Sequence, residues 1–399
     1  MTQPIAPALA APESGLPVLP ELAERVAGAA GRAEPEPVGG GPVLHAAACG
    51  YFGRRGLWTE PGQVVAAPGA QGLLLALLAS VGGDVLLTRP CAAWYTAVAR
   101  LAGGASYHVP VPAECGGVPD PFALLETVRR IRGEGGRPRV LVLSVADDPT
   151  GTLVPPETLH EVCEAAEAEE LLIISDETWR DTRYDAHGTV VVGPAEMCPE
   201  HTVVLTDLAG SLTPTAWPAA LARLPDTEYG RAVRDRTLAA CTAVRALLAP
   251  PVAAAVAHAL DEPEPVRARM AAAARLFGAL ATAAHGRLAL AGALCRPPQA
   301  GPFLYADLGE LRPALAARGV SDSVELEDHL GARLGVRAPG GHRFADDPDA
   351  LRVRFSPLAL LPGDAARQRA LDAAEPLESP DVARALAAFG AVLGELTEG

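Results

Sequence analysis

Short apolar runs that lack the alternation of a half-solvated strand constrain this chain more than any other feature. They read GDVLLTRP (83–90), PRVLVLSVADDPTG (138–151), LLIISDET (171–178) and HTVVLTDL (201–208). Between them lie stretches of helical character: GAQGLLLALLASVG (69–82), AWYTAVARLAGG (93–104) and PPETLHEVCEAAEAEE (155–170), the last with proline at its start. Strands apolar on both faces and separated by helices are those of a parallel sheet covered on both sides. After about residue 240 the pattern changes. A long Ala/Arg helix, EPVRARMAAAARLFGALATAAHG, leads to GPFLYADLG and ALRVRFSPL, which read as two strands of a smaller α+β unit. The expected fold class is therefore α/β, a large domain with a mostly parallel sheet of the seven-stranded type plus a smaller α+β domain. The expected boundaries are 41–250 for the large domain and 251–399 for the small one, with 1–40 packing on the small domain.

Composition narrows the function. The 399 residues are 49% hydrophobic and 20% charged, as in a globular chain, and the net charge is −15 with no basic run. Nucleic-acid binding needs clustered Lys and Arg, so it is not expected. The N-terminal MTQPIAPALAAPESGLP lacks the basic and apolar regions of a secretory signal, and GLLLALLASVGG is too short to span a bilayer. Cytoplasmic location without membrane contact is the expectation. The seven cysteines are irregularly spaced and give no disulfide framework. HEVC (160–163) and CPEH (198–201) have the residue types of a zinc site, but one lies on an amphipathic helix and the other on a loop, and no metal is expected.

Every one of the 33 basic residues is arginine, so the chain contains no lysine. Chemistry that needs a side-chain amine is excluded.

The ordered segments SGLP (14–17), PVLHAAACGYFGRRGLWTEPGQVVAAPGAQGLLLALL (42–78), DDPTGTLVPPETL (147–159), IISDETWRD (173–181), RLGVRAPGGHRF (333–344) and LRVRFSPL (351–358) are similar in sequence and spacing to those of the class I/II aminotransferases. These are the fold-type I pyridoxal-phosphate enzymes. The resemblance covers nearly the whole chain and implies where a site would lie. The family lysine that forms a Schiff base with the cofactor falls on Gly210. The phosphate-binding serines fall on Asp207 and Ala209, and the phosphate arginine on Pro218. The partner-subunit tyrosine that caps the phosphate would lie near Pro35, and the ring-stacking aromatic falls on Ala92, with Trp94 and Tyr95 close by. A carboxylate at 207 would repel a phosphate dianion.

Other positions survive. Asp176 matches the carboxylate that pairs with the pyridine nitrogen, and it reads equally as a strand-end turn cap. Asp148 stands where the family has the asparagine that bonds the ring oxygen, and Trp179 replaces the neighbouring tyrosine. Asp148 and Asp176 are the catalytic candidates, because paired carboxylates can raise one another's pKa for acid/base work. Gly69, Ala70 and Gln71 keep a vestigial anion-binding helix start, which an ordinary helix start explains as well. Arg352 is taken as the arginine that forks a substrate carboxylate, with Trp179, Trp94 and Tyr95 as companions in substrate binding and Arg354 as a solvated strand residue.

Three functional readings result. The first is a repurposed enzyme or binding protein for an amino-acid-like carboxylate, without cofactor, in specialised metabolism. The second is a catalytically dead subunit that pairs with an active homologue. The third uses pyridoxamine or pyridoxal phosphate non-covalently. The first is preferred, with no cofactor and a homodimeric assembly expected.

Overall fold

The computed structural model describes residues 15–112, 115–185, 188–210 and 212–397. Its large sheet comprises β1 (Val64–Ala67), β2 (Asp84–Arg89), β3 (Ser106–Pro110), β4 (Pro138–Ser144), β5 (Leu172–Asp176), β6 (Thr202–Asp207) and β7 (Ala220–Arg223), in the order β1-β7-β6-β5-β4-β2-β3. Strands β2 to β6 pair in parallel, while β7 is antiparallel to both β6 and β1.

The apolar runs face in both directions, as a doubly covered sheet requires. Leu87, Val142, Ile174 and Leu205 pack with the helices Ala70–Val81 and Tyr95–Leu101. Leu86, Leu141, Leu143 and Ile173 point the other way, into the core shared with helices Pro121–Gly133 and Pro156–Ala168. Each fully buried side chain of this size contributes roughly 1.5–3 kcal/mol relative to exposure.

A second, antiparallel sheet has the order β10-β9-β8, with β8 (Leu294–Cys295), β9 (Leu304–Asp307) and β10 (Arg352–Phe355). Its core is closed by the 27-residue helix Glu264–Leu290 and the helix Pro380–Thr397. Leu16 joins this core, whereas Leu22, on the helix Pro20–Ala29, joins the core that contains Leu44 and the helix Pro250–Leu260. Among the described residues, no helix is long and apolar enough to cross a membrane.

Three strands of the large sheet escape a sequence reading. β1 offers four residues after a Pro-Gly turn, β3 is a polar edge strand, and β7 ends in a charge. That charge, Arg223, is buried because its guanidinium donates to Thr59 Oγ1 at 2.9 Å and to the Trp58 carbonyl at 3.0 Å. A buried arginine so paired is compatible with a sheet interior but hides the strand's apolar pattern.

Candidate functional site

The C-terminal ends of β4, β5 and β6 open into a cleft of about 380 Å³, on which Arg354 of β10 also borders. Ligand crevices of open α/β sheets lie at this end of the strands. Asp148, Asp176 and Asp207 line the cleft together with Trp94 and Trp179.

Asp176 closes β5 with its carboxylate toward the cavity. Tyr95 donates to it from behind at 2.7 Å, and the Thr178 amide donates to its other oxygen at 2.9 Å. The Tyr95 hydroxyl also bonds Ser144 Oγ at 3.0 Å, tying β4, β5 and the helix Tyr95–Leu101 at one point. Burial pushes the Asp176 carboxyl up from the usual range, against the opposing bonds from Thr178 and Tyr95.

Asp207, two residues past the register partner of Asp176, lies on the same face of the sheet. Its Oδ2 accepts from the Ala70 amide at 3.0 Å, and its Oδ1 accepts from the Ala209 amide at 2.8 Å. The N-terminus of the helix Ala70–Val81 therefore holds an anion supplied by the chain itself. Burial pushes Asp207 up to about 6, while the two amides oppose the shift and Asp176 adds to it.

The sign of this shift sets a pH dependence. A carboxyl raised in the folded state contributes stability that is present at low pH and is lost as pH rises through the folded pKa. Between about pH 4 and 6 Asp207 should therefore make the protein less stable as pH increases, by about 1–3 kcal/mol. Unfolding by urea should show a larger drop from pH 5 to pH 7.5 in the wild type than in Asp207→Asn. Equal drops would contradict the assignment.

Asp148 is bound by Arg354, whose Nη1 donates to Oδ1 at 2.6 Å. The guanidinium lies 4.1 Å from the Phe303 ring centroid and 4.9 Å from that of Phe344. Burial pushes Arg354 down to about 9, which leaves it charged at neutral pH. Burial also pushes Asp148 up, and the nearby Asp147 and Asp176 carboxylates add to this.

The structure places the two arginines of β10 differently from the expectation. Arg352 donates to Asp307 at 2.9 Å and to both oxygens of Asp346 at 2.9 Å, at the outer end of the strand and away from the cleft lining. Arg354, expected as a solvated residue, is the cleft arginine. The two sit on one face of β10, so alternation could not separate them; Asp307 and Asp346, distant in sequence, retain Arg352. Tyr95 is also reassigned. Its ring is buried behind Asp176 and does not line the cleft, whereas Trp94 does. Trp179 borders the cavity edge-on to Phe303, with ring centroids 5.4 Å apart.

Gly210 lines the cleft with φ +100°, a conformation that L side chains rarely adopt. Gly69 and Gln71 flank the amide that Asp207 occupies, and Pro218 lies 3.7 Å from where a Gly69 side chain would begin. Sequence reasoning missed Phe303, Thr178 and Thr215 as cleft residues. Thr178 carried a signal, since it sits two residues after Asp176 and its hydroxyl accepts the Asp207 amide at 3.0 Å. Cys163 and Cys198 are free thiols in the same apolar core, and no group of three or more potential metal ligands is found among the described residues.

Comparison with known proteins agrees with this architecture. The chain matches the aminotransferase class I and II family over residues 16–359. It is 31% identical over 211 residues to a probable aspartate/prephenate aminotransferase of Thermus aquaticus, covering 52% of each chain. The match to the aspartate/prephenate aminotransferase of Thermus thermophilus is 29% over 210 residues, again 52% of each, so the chain spans about half the length of these curated relatives. A valine–pyruvate aminotransferase of Mycobacterium tuberculosis is 28% identical over 327 residues, with 78% of this chain and 75% of that one covered. Among solved structures, the Thermus thermophilus aspartate aminotransferase with maleate superposes with a TM-score of 0.75 at 22% identity, over 90% of this chain and 89% of that one.

These relatives correct the expectation of a cofactor-free cleft. They are aminotransferases, whose cofactor is pyridoxal phosphate, and that cofactor is the one to which the family points. The cleft fits it unevenly. The buried Asp176 carboxylate suits a pyridine nitrogen, while Asp207 already takes the Ala70 and Ala209 amides, donors that a phosphate could otherwise use. Fold, family match and cleft position together show that the chain belongs to the class I and II aminotransferase family.

Proposed function

We propose that this chain is an aminotransferase-family protein that holds its cofactor's pyridine ring without a covalent bond, against Asp176, beside a place for an amino-acid or other carboxylate substrate at Arg354. The observation that carries this reading is the Asp176 carboxylate, fixed from behind by Tyr95 and Thr178 and open to the cleft, in a chain without lysine. When bound, such a ring supplies an electron sink for a substrate's reacting carbon. The chain's own residues then have separate tasks. Asp176 accepts the ring N–H, Trp94 and Trp179 narrow the cleft and exclude water, and Arg354 offers the cation that an α-carboxylate would seek. Asp148 holds that cation in place, so a substrate carboxylate has to share or displace it.

Titration with pyridoxamine, followed by calorimetry and by the protein's tryptophan fluorescence, tests this reading. Saturable binding is expected in the wild type. Asp176→Asn should bind about ten- to a hundredfold more weakly, since a charge-assisted hydrogen bond is worth roughly 1.5–3 kcal/mol. An unchanged affinity would show that the ring does not sit on Asp176.

The reading includes a homodimer. Trp58 is 83% exposed and Val43 76% exposed, and large apolar side chains so placed are candidates for burial between subunits. Sedimentation at micromolar concentration should give twice the 41.0 kDa chain mass. A monomer at that concentration would contradict it.

A further inference from the structure

The cleft combines a helix N-terminus already satisfied from within, carboxylates on its floor and aromatic rings on its walls. Asp207 spends both of its oxygens on the amides of Ala70 and Ala209, the donors that an incoming phosphate would otherwise use. Asp148, Asp176 and Asp207 line the cavity, whereas Arg354 is the sole Arg in its described lining and is bound to Asp148. With the Asp148–Arg354 pair neutral, Asp176 and Asp207 leave the cleft an excess of negative charge. Trp94, Trp179 and Phe303 supply flat apolar surface. Such a cavity favours a flat, cationic, hydrogen-bond-donating molecule and opposes a dianion.

The spacing of the carboxylates suits one small ring. Adjacent parallel strands and a two-residue offset place the Asp176 and Asp207 α-carbons about 8 Å apart, with both side chains on one face. We propose that the ligand of this cleft is a phosphate-free vitamer of the family's cofactor, a pyridine bearing a hydroxymethyl and an amine. Its ring nitrogen would sit on Asp176, and its hydroxymethyl group would donate to the Asp207 carboxylate that stands in for the phosphate. This assignment rests on the preceding reading, in which the ring is held on Asp176, and adds that the phosphate is selected against. The selectivity arises because a phosphate would have to displace a carboxylate from two amides and remain beside it, while the hydroxymethyl group leaves both amide bonds intact.

Pyridoxamine and pyridoxamine 5′-phosphate are the probes, each titrated by calorimetry into the full-length wild type and Asp207→Ser. In the wild type pyridoxamine should bind at least tenfold more tightly than its phosphate. In Asp207→Ser, which frees the Ala70 and Ala209 amides, this ratio should fall at least tenfold or reverse. Because each ratio is taken within one protein preparation, partial unfolding of the variant leaves it unaffected. If the phosphate binds the wild type as tightly as pyridoxamine or more so, the proposed selectivity is wrong and binding of the ring on Asp176 stands. If neither probe binds the wild type, both the selectivity and the ring-binding reading are overturned. A ratio unchanged by Asp207→Ser would overturn the role given to Asp207.

Discussion

Replacing Arg354 with alanine is expected to cost about 3–5 kcal/mol of stability, because it leaves the Asp148 carboxylate buried without its cation. The Arg354 side chain is 4% exposed and that of Asp148 16%, so water from the cleft replaces the lost contact only in part. Arg352→Ala removes a 38% exposed arginine from Asp307 and from Asp346; Asp346 is only 5% exposed but keeps its bonds from the Tyr305 hydroxyl and the Asp347 amide, so the cost should be smaller, about 1–3 kcal/mol. Urea unfolding of both variants at pH 7.5 checks the ranking. The double variant Asp148→Asn/Arg354→Met should lose less than Arg354→Ala alone, since it removes the stranded charge together with its partner. Equal losses from Arg352→Ala and Arg354→Ala would contradict the placement of the two arginines.

Restoring the family's lysine should not restore the family's reaction. Gly210→Lys is expected to show no transamination above background with saturating pyridoxal phosphate. The reason lies first in the backbone. Gly210 has φ +100°, and holding a residue with a side chain in such a region costs roughly 1–3 kcal/mol. A Cβ there would lie 3.5 Å from the Trp179 ring, which limits how the new side chain can leave the turn. The second reason is the anchor: Asp207 would still hold the Ala70 and Ala209 amides, leaving the cofactor's phosphate without them. A coupled assay for keto-acid formation over a panel of amino acids tests the prediction. Turnover on the order of 1 s⁻¹ or faster, within the range of ordinary enzymes, would contradict it.

The parts of the fold that were legible in the sequence are those with strong local signals. The runs ending in Asp176 and Asp207 became β5 and β6, and GAQGLLLALLASVG became the helix Ala70–Val81. The antiparallel β7 was illegible, because it is four residues long and ends in Arg223, whose partners Thr59 and Trp58 are far away in sequence. At the site, Asp148, Asp176 and Asp207 were assigned through the resemblance to the family's strand-end motifs, and the structure brings all three to one cleft. Arg352 and Arg354 could not be distinguished, because residues two apart on a strand share a face and only Asp307, Asp346 and Asp148 decide which of them turns into the cleft. Tyr95 showed the same limit: an aromatic beside Trp94 was legible, but its place behind Asp176 depends on Ser144 and the packing of β4 and β5. The absence of lysine was plain from composition, whereas the cofactor preference had to come from relatives, since no residue count reports what a cleft has inherited.

The most direct measurement is a crystal structure of the wild-type chain grown with saturating pyridoxamine. The account predicts a ring in the cleft between Trp94 and Trp179, with its nitrogen within hydrogen-bond distance of the Asp176 carboxylate and no continuous density from the ring to any side chain. Density for the ring elsewhere on the molecule, or an empty cleft in crystals of protein shown by calorimetry to be saturated, would contradict it.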